Sequence, residues 1–94
     1  MNVKTFDYKV PGGKLLRIHA VFELDKILEC KIFGDFFMHP EEAKESLEAF
    51  LLGKTLAEIN PELIDNYLLD NQIELYGFAS KDLIYVLKQI YENL

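Results

Sequence analysis

Val3-Lys-Thr-Phe-Asp-Tyr-Lys-Val-Pro-Gly-Gly-Lys-Leu-Leu-Arg-Ile-His-Ala-Val-Phe-Glu23 decides the fold. On its first limb Phe6, Tyr8 and Val10 alternate with Thr5, Asp7 and Lys9. On its second, Leu16, Ile18, Ala20 and Phe22 alternate with Arg17, His19 and Glu23. A period of two places alternate side chains on opposite faces of an extended chain, so both limbs are strands with one apolar face. Pro11-Gly12-Gly13 between them supplies the flexible, proline-set turn of a hairpin.

Working outward, Asp25-Lys26 is the next turn signal. Leu28, Cys30 and Ile32 then alternate with Glu29, Lys31 and Phe33 as far as Gly34. The first 34 residues therefore predict a three-stranded antiparallel meander. At Asp35–Pro40 the pattern changes. Pro40 suits a first helical position, where its missing N–H is not needed, and Glu41, Glu42 and Glu45 complement the positive end of a helix dipole. Ala43, Leu47, Phe50 and Leu51 recur at helical spacing, and Gly53 is placed to end the helix. Asn60-Pro61 is a second helix start, ahead of Leu63, Ile64, Tyr67 and Leu68. Ile73, Leu75 and Phe78, around Gly77, fit either a short strand or a packed loop. Ser80 is the predicted cap of a last helix whose apolar stripe is Leu83, Ile84, Leu87, Ile90, Tyr91 and Leu94. The expected architecture is α+β, one domain over residues 1–94: a three-stranded antiparallel meander with helices packed on one face.

Half of the residues are hydrophobic and 28% are charged, so the chain can bury a core and is not a disordered tail. Ten basic against sixteen acidic side chains, net charge -6, exclude a phosphate-binding basic face of the kind nucleic acids require. The charge is uneven: residues 1–37 carry six basic and five acidic groups, residues 38–94 four and eleven. The two halves offer different surfaces to partners. Cys30 is the sole cysteine, which excludes an intramolecular disulfide, a CxxC pair and any cysteine-only metal or cluster site. No run approaches the roughly 18 apolar residues that span a bilayer, and the first residues lack a signal-peptide apolar stretch. A cytoplasmic protein without membrane contact is expected.

No catalytic constellation stands out. Two loops carry the candidate functional residues. Gly12, Gly13 and Lys14 join flexible backbone to an ammonium, a combination that lets N–H groups and a cation approach a phosphate, and equally the composition of a plain hairpin turn. Gly34, Asp35, Phe36 and Phe37 place two adjacent aromatics in a loop. Neighbours in extended chain point to opposite sides, which would expose one of Phe36 and Phe37 for a partner; the alternative is that both tuck under the following helix as an apolar staple. His39, with no second ligand nearby in sequence, is an N-cap or surface residue rather than a metal ligand. Cys30 reads as a small buried hydrophobe.

Three stretches, Lys9-Val-Pro-Gly-Gly-Lys-Leu-Leu-Arg-Ile18, Ile32-Phe-Gly-Asp-Phe-Phe37, and Pro40-Glu-Glu with Leu47-Glu-Ala-Phe-Leu-Leu-Gly53, resemble the C-terminal accessory domain of lipoate-protein ligases. The resemblance covers most of the chain. It implies an accessory part made as a separate small subunit, as in two-part ligases of archaeal type. It also implies a fold similar to the small sulfur-transfer and iron-sulfur scaffolds. The family's large domain carries an Arg-Arg-x-x-Gly-Gly-Gly type motif and a lysine that contact lipoate and the adenylate; neither has a counterpart here, so no catalytic residue is assigned. The implied partner is a catalytic ligase subunit in a heterodimer, which holds ATP, magnesium and lipoate and forms lipoyl-AMP. The resemblance further implies that this chain binds no cofactor by itself and meets lipoyl acceptor domains only indirectly. On this view Gly12, Gly13, Lys14, Gly34, Asp35, Phe36 and Phe37 contact the catalytic chain or its nucleotide pocket. A sulfur-transfer or iron-sulfur scaffold of similar fold is the competing reading, and a homodimer paired through exposed aromatics a third.

Overall fold

The computed structural model describes residues 3–93. Strands β1 (Lys4–Lys9), β2 (Leu15–Glu23) and β3 (Lys26–Gly34) form an antiparallel sheet in the order β1-β2-β3. The chain continues through β4 (Phe37–His39), α1 (Ala43–Leu51), α2 (Pro61–Asp70), β5 (Glu74–Tyr76) and α3 (Ser80–Glu92). Strands β4 and β5 pair antiparallel as a separate ribbon, with Phe37 opposite Tyr76. The ambiguous segment around Gly77 thus contributes a strand, because Leu75 can pair beside Met38 only once the chain has folded back.

The alternation in the first limbs has the predicted consequence. Leu16, Ile18, Ala20, Phe22, Cys30 and Ile32 are buried on one sheet face, where α1 lies against β3 and α3 spans β1 and β2, with α2 against α3. The opposite face exposes Thr5, Asp7, Arg17, Lys31 and Phe33. Leu47 and Leu51 of α1, Ile64 of α2, and Leu83, Val86, Leu87 and Ile90 of α3 complete the core. Leu94, assigned above to the apolar stripe of α3, lies outside the described residues.

Several boundaries differ from expectation, each for a local reason. The β2–β3 turn is Leu24-Asp25 rather than Asp25-Lys26, since Lys26 pairs with Glu23. A register shift follows: Val21 pairs with Glu29 and Phe22 with Ile27, which leaves Leu28 as an extra bulged residue. The bulge reverses the phase at the start of β3, so Ile27 is buried in the place expected for Leu28. Helix α1 begins at Ala43, not Pro40, because β4 runs to His39 and a turn closed by Ala43 N–H to Pro40 O intervenes. Gly53 does follow the helix in a left-handed conformation, φ 82°. Asn60 caps α2 as expected, its Oδ1 accepting Leu63 N–H at 2.8 Å. Ser80 is not the cap of α3. The first helical turn is secured from Asp82, whose carboxylate accepts the Ala79 N–H at 2.8 Å. No helix among the described residues is long and apolar enough to cross a membrane.

Candidate functional site

The two loops singled out by sequence lie together, and a third glycine joins them. Lys14 N–H donates to Gly77 O at 2.9 Å, while Gly13 N–H donates to Val10 O at 2.8 Å and so tightens the turn. From the other side Asp35 N–H reaches Leu15 O at 3.1 Å. A Cβ on Gly13 would come within 2.5 Å of Gly77 O, and one on Gly77 within 3.0 Å of Phe36 Cα and 3.1 Å of Lys14 Cγ. Gly34, φ 146°, lies so close to Leu15 O that no side chain fits. These glycines are needed for close backbone approach, so the segments 12–14, 34–37 and 76–78 form one packed junction.

Phe36 turns inward, edge-on to Phe78 with ring centroids 5.0 Å apart, and packs on the core. Phe37 turns outward, 53% exposed beside the equally exposed Tyr76. One aromatic of the pair is therefore buried and the other exposed, as alternation in extended backbone requires. Lys14 and Asp35 are exposed, and Lys14 uses its main chain in the junction while its ammonium has no partner among the described residues. Lys9 reaches across the turn, its Nζ donating to Gly13 O at 2.5 Å and Val10 O at 3.3 Å. An open groove of about 640 Å³ runs from this turn past Gly77 and Phe78 to Lys81 and Tyr85 at the start of α3. Sequence reasoning missed Gly77, Tyr76 and Lys81. The available signal was a glycine flanked by two aromatics at 76–78.

Among the described residues no group of three or more His, Cys, Asp or Glu side chains could hold a metal ion. Cys30 is buried, and desolvation, reinforced by the nearby Glu48 carboxylate, pushes its thiol up to about 12. His19 lies on the opposite sheet face, its Nδ1 3.1 Å from Thr5 Oγ1 and its ring edge-on to Phe33. The two are not a reactive pair. His39 is exposed at the end of β4.

What the junction offers is a shaped surface of closely approaching backbone beside the exposed Lys14, Asp35 and Phe37. No family model matches the chain. Lipoate-protein ligase A subunit 2 of Thermoplasma acidophilum is 32% identical over 84 residues, 89% of this chain and 86% of that protein. Among solved structures, a chain from an archaeal lipoylation system of Thermoplasma acidophilum, described as a bi-partite lipoate protein ligase and its E2 lipoyl domain, superposes with a TM-score of 0.74. It is 26% identical, over 92% of this chain and 94% of that one. With the relative matched along most of both chains and the same architecture found in a solved structure, this chain belongs to the lipoate-protein ligase A subunit 2 family.

Proposed function

We propose that this chain is the accessory subunit of a two-part lipoate-protein ligase, acting with a separate catalytic subunit in the ATP-dependent activation of lipoate for protein lipoylation. The observation that carries the reading is the match, along nearly the whole of both chains, to part of a bi-partite ligase. ATP, magnesium and lipoate belong to the catalytic subunit, and the cytoplasm is where these reactants meet. Carboxylate attack on an α-phosphate builds charge, and a lid that fixes geometry and excludes water speeds it without supplying a nucleophile. The Gly12–Lys14 turn and the Gly34–Phe37 loop, joined through Gly77, form the edge of that lid. The scaffold reading is not favoured: such chemistry needs exposed thiolates, and Cys30 is buried.

The test is lipoyl-adenylate formation by the catalytic subunit with lipoate, ATP and magnesium, with and without this chain. Activity that appears or rises strongly on mixing supports the accessory role. Equal activity without it removes that role and leaves a likeness of fold.

A further inference from the structure

The outer edge of β1 has no strand beside it among the described residues, and its hydrogen-bonding groups can be assigned. Ile32 N–H donates to the Glu48 carboxylate, away from β2, so Ile18 and Ile32 form a pair without mutual hydrogen bonds. Antiparallel pairing alternates, and Ile18, with Leu16 and Ala20, therefore turns its main chain toward β1. Their partners Phe6, Tyr8 and Lys4 are consumed in that ladder. The odd-numbered Thr5 and Asp7 are left with N–H and C=O pointing outward from the free edge.

Charge and aromatic surface gather along the same edge. On α3, Lys81, Tyr85 and Lys88 are exposed at a spacing of four and three residues, hence on one stripe. Tyr85 lies 4.7 Å from Tyr8 and 6.4 Å from Phe6 between ring centroids, so this stripe runs beside β1. Lys4 and Lys9 bracket the strand. Two nearby carboxylates are occupied, Asp7 held bidentately by Arg17 at 2.7 Å and Asp82 capping Ala79, while the exposed Glu92 lies one turn beyond Lys88 at the far end of the stripe. In a chain of net charge -6, three of the ten basic residues, Lys4, Lys81 and Lys88, thus gather beside one unpaired edge around three aromatic rings.

Resting on the accessory reading above, we propose that β1 is the docking edge for the catalytic subunit, which adds an extended acidic segment to it as a fourth strand. Thr5 and Asp7 supply main-chain hydrogen bonds to that segment. Its alternate side chains lie over Tyr8 and Tyr85, and its carboxylates meet Lys4, Lys81 and Lys88. The edge runs into the groove at Gly12, Gly13 and Gly77, so a segment paired here leads the catalytic chain directly to the junction.

The test measures association of the full chain with its catalytic subunit by titration calorimetry at two salt concentrations, alongside amide exchange of Thr5 and Asp7. Thr5→Pro deletes an outward N–H while sparing the β1–β2 ladder, and Lys81→Glu with Lys88→Glu reverses the stripe on an exposed helix face. Lys26→Glu at the far hairpin is the control. Thr5→Pro and the double reversal should each weaken association by about tenfold or more, the reversal also flattening the salt dependence. The Thr5 and Asp7 amides should become protected only in the complex. If Thr5→Pro fails to fold by circular dichroism, the reversal and the amide exchange of the unaltered chain decide. Parent-like binding by the folded variants, unprotected amides in a formed complex, pairing of β1 with a second copy, or capture of an acceptor domain with the ligase contact unchanged would each overturn the docking edge and leave the accessory role standing. No complex with the unaltered chain would remove both.

Discussion

The Glu48 carboxylate on α1 accepts the main-chain N–H of Ile32 at 2.6 Å, so a helix side chain closes a stretch of β3 edge that no strand covers. Lys44, one turn earlier, donates to the same oxygen at 2.9 Å. Nearer the start of β3 the edge is closed by main chain instead, with Gly53 N–H donating to Ile27 O and Ile27 N–H to Lys54 O. The two sides of the sheet thus differ: the β3 edge is covered at Ile27 and Ile32, whereas no strand pairs with the outer edge of β1 among the described residues.

Glu48→Ala should destabilise the chain by about 1–3 kcal/mol, because it leaves a buried N–H without an acceptor. Glu48→Gln keeps an acceptor oxygen and should cost distinctly less. Urea unfolding monitored by circular dichroism gives both values; equal losses would mean that packing, not the hydrogen bond, matters at this position.

Glycine replacements separate close approach from backbone conformation. At Gly53, φ 82°, a Cβ meets open space, so Gly53→Ala carries only the cost of a left-handed L residue, about 1–2 kcal/mol. At Gly34 the same change adds a clash with Leu15 O and should exceed that loss, also loosening the Phe36–Phe37 loop. Thermal unfolding of the two variants should rank them in that order.

Cys30 should resist thiol reagents in the folded chain at pH 8 and react at once in urea. Its thiol rises from the ordinary 9.0 to about 12 on folding, so between those values the unfolded chain binds fewer protons than the folded one. Stability should therefore fall as pH rises through that window, and Cys30→Ser should lessen the fall. Unfolding midpoints across alkaline pH provide the check.

Asp7 responds in the opposite sense. Its hydrogen bonds to Arg17 hold the carboxyl below the usual carboxylate range, so the pair's stabilisation is present above that range and is lost as pH falls through the depressed value. The group is at the surface, so the effect on unfolding should be small and screened by salt. Carboxyl-carbon NMR titration should find Asp7 ionised at pH values where free aspartate is half protonated, and Arg17→Gln should return it toward normal.

Lys14→Ala should slow lipoyl-adenylate formation by the mixed subunits while leaving transfer from preformed lipoyl-AMP intact. The exposed ammonium is tied to no other side chain among the described residues, so the fold should be unaffected. Single-turnover assays of the two half-reactions discriminate; unchanged adenylation would take Lys14 out of the lid.

Alternation over Phe6–Val10 and Leu16–Phe22, the Asn60-Pro61 start and the stripe from Leu83 to Ile90 were enough to determine three strands, two of the three helix positions and the buried faces. These patterns are local, and each follows from which side of an element must leave water. The start of α1, the bulge at Leu28, the β4–β5 ribbon and the cap of α3 were not legible, since each depends on a residue distant or offset in sequence: Met38 beside Leu75, Val21 against Glu29, Asp82 reaching back to Ala79. The candidate loops were visible as glycine and aromatic clusters, but only tertiary structure brought Lys14 to Gly77 and chose Phe37 over Phe36 for exposure. Sequence could state that this chain holds lysines at positions 4, 81 and 88; packing α3 across β1 and β2 brought the Lys81–Tyr85–Lys88 stripe beside β1, because the apolar side of that helix is buried against the sheet.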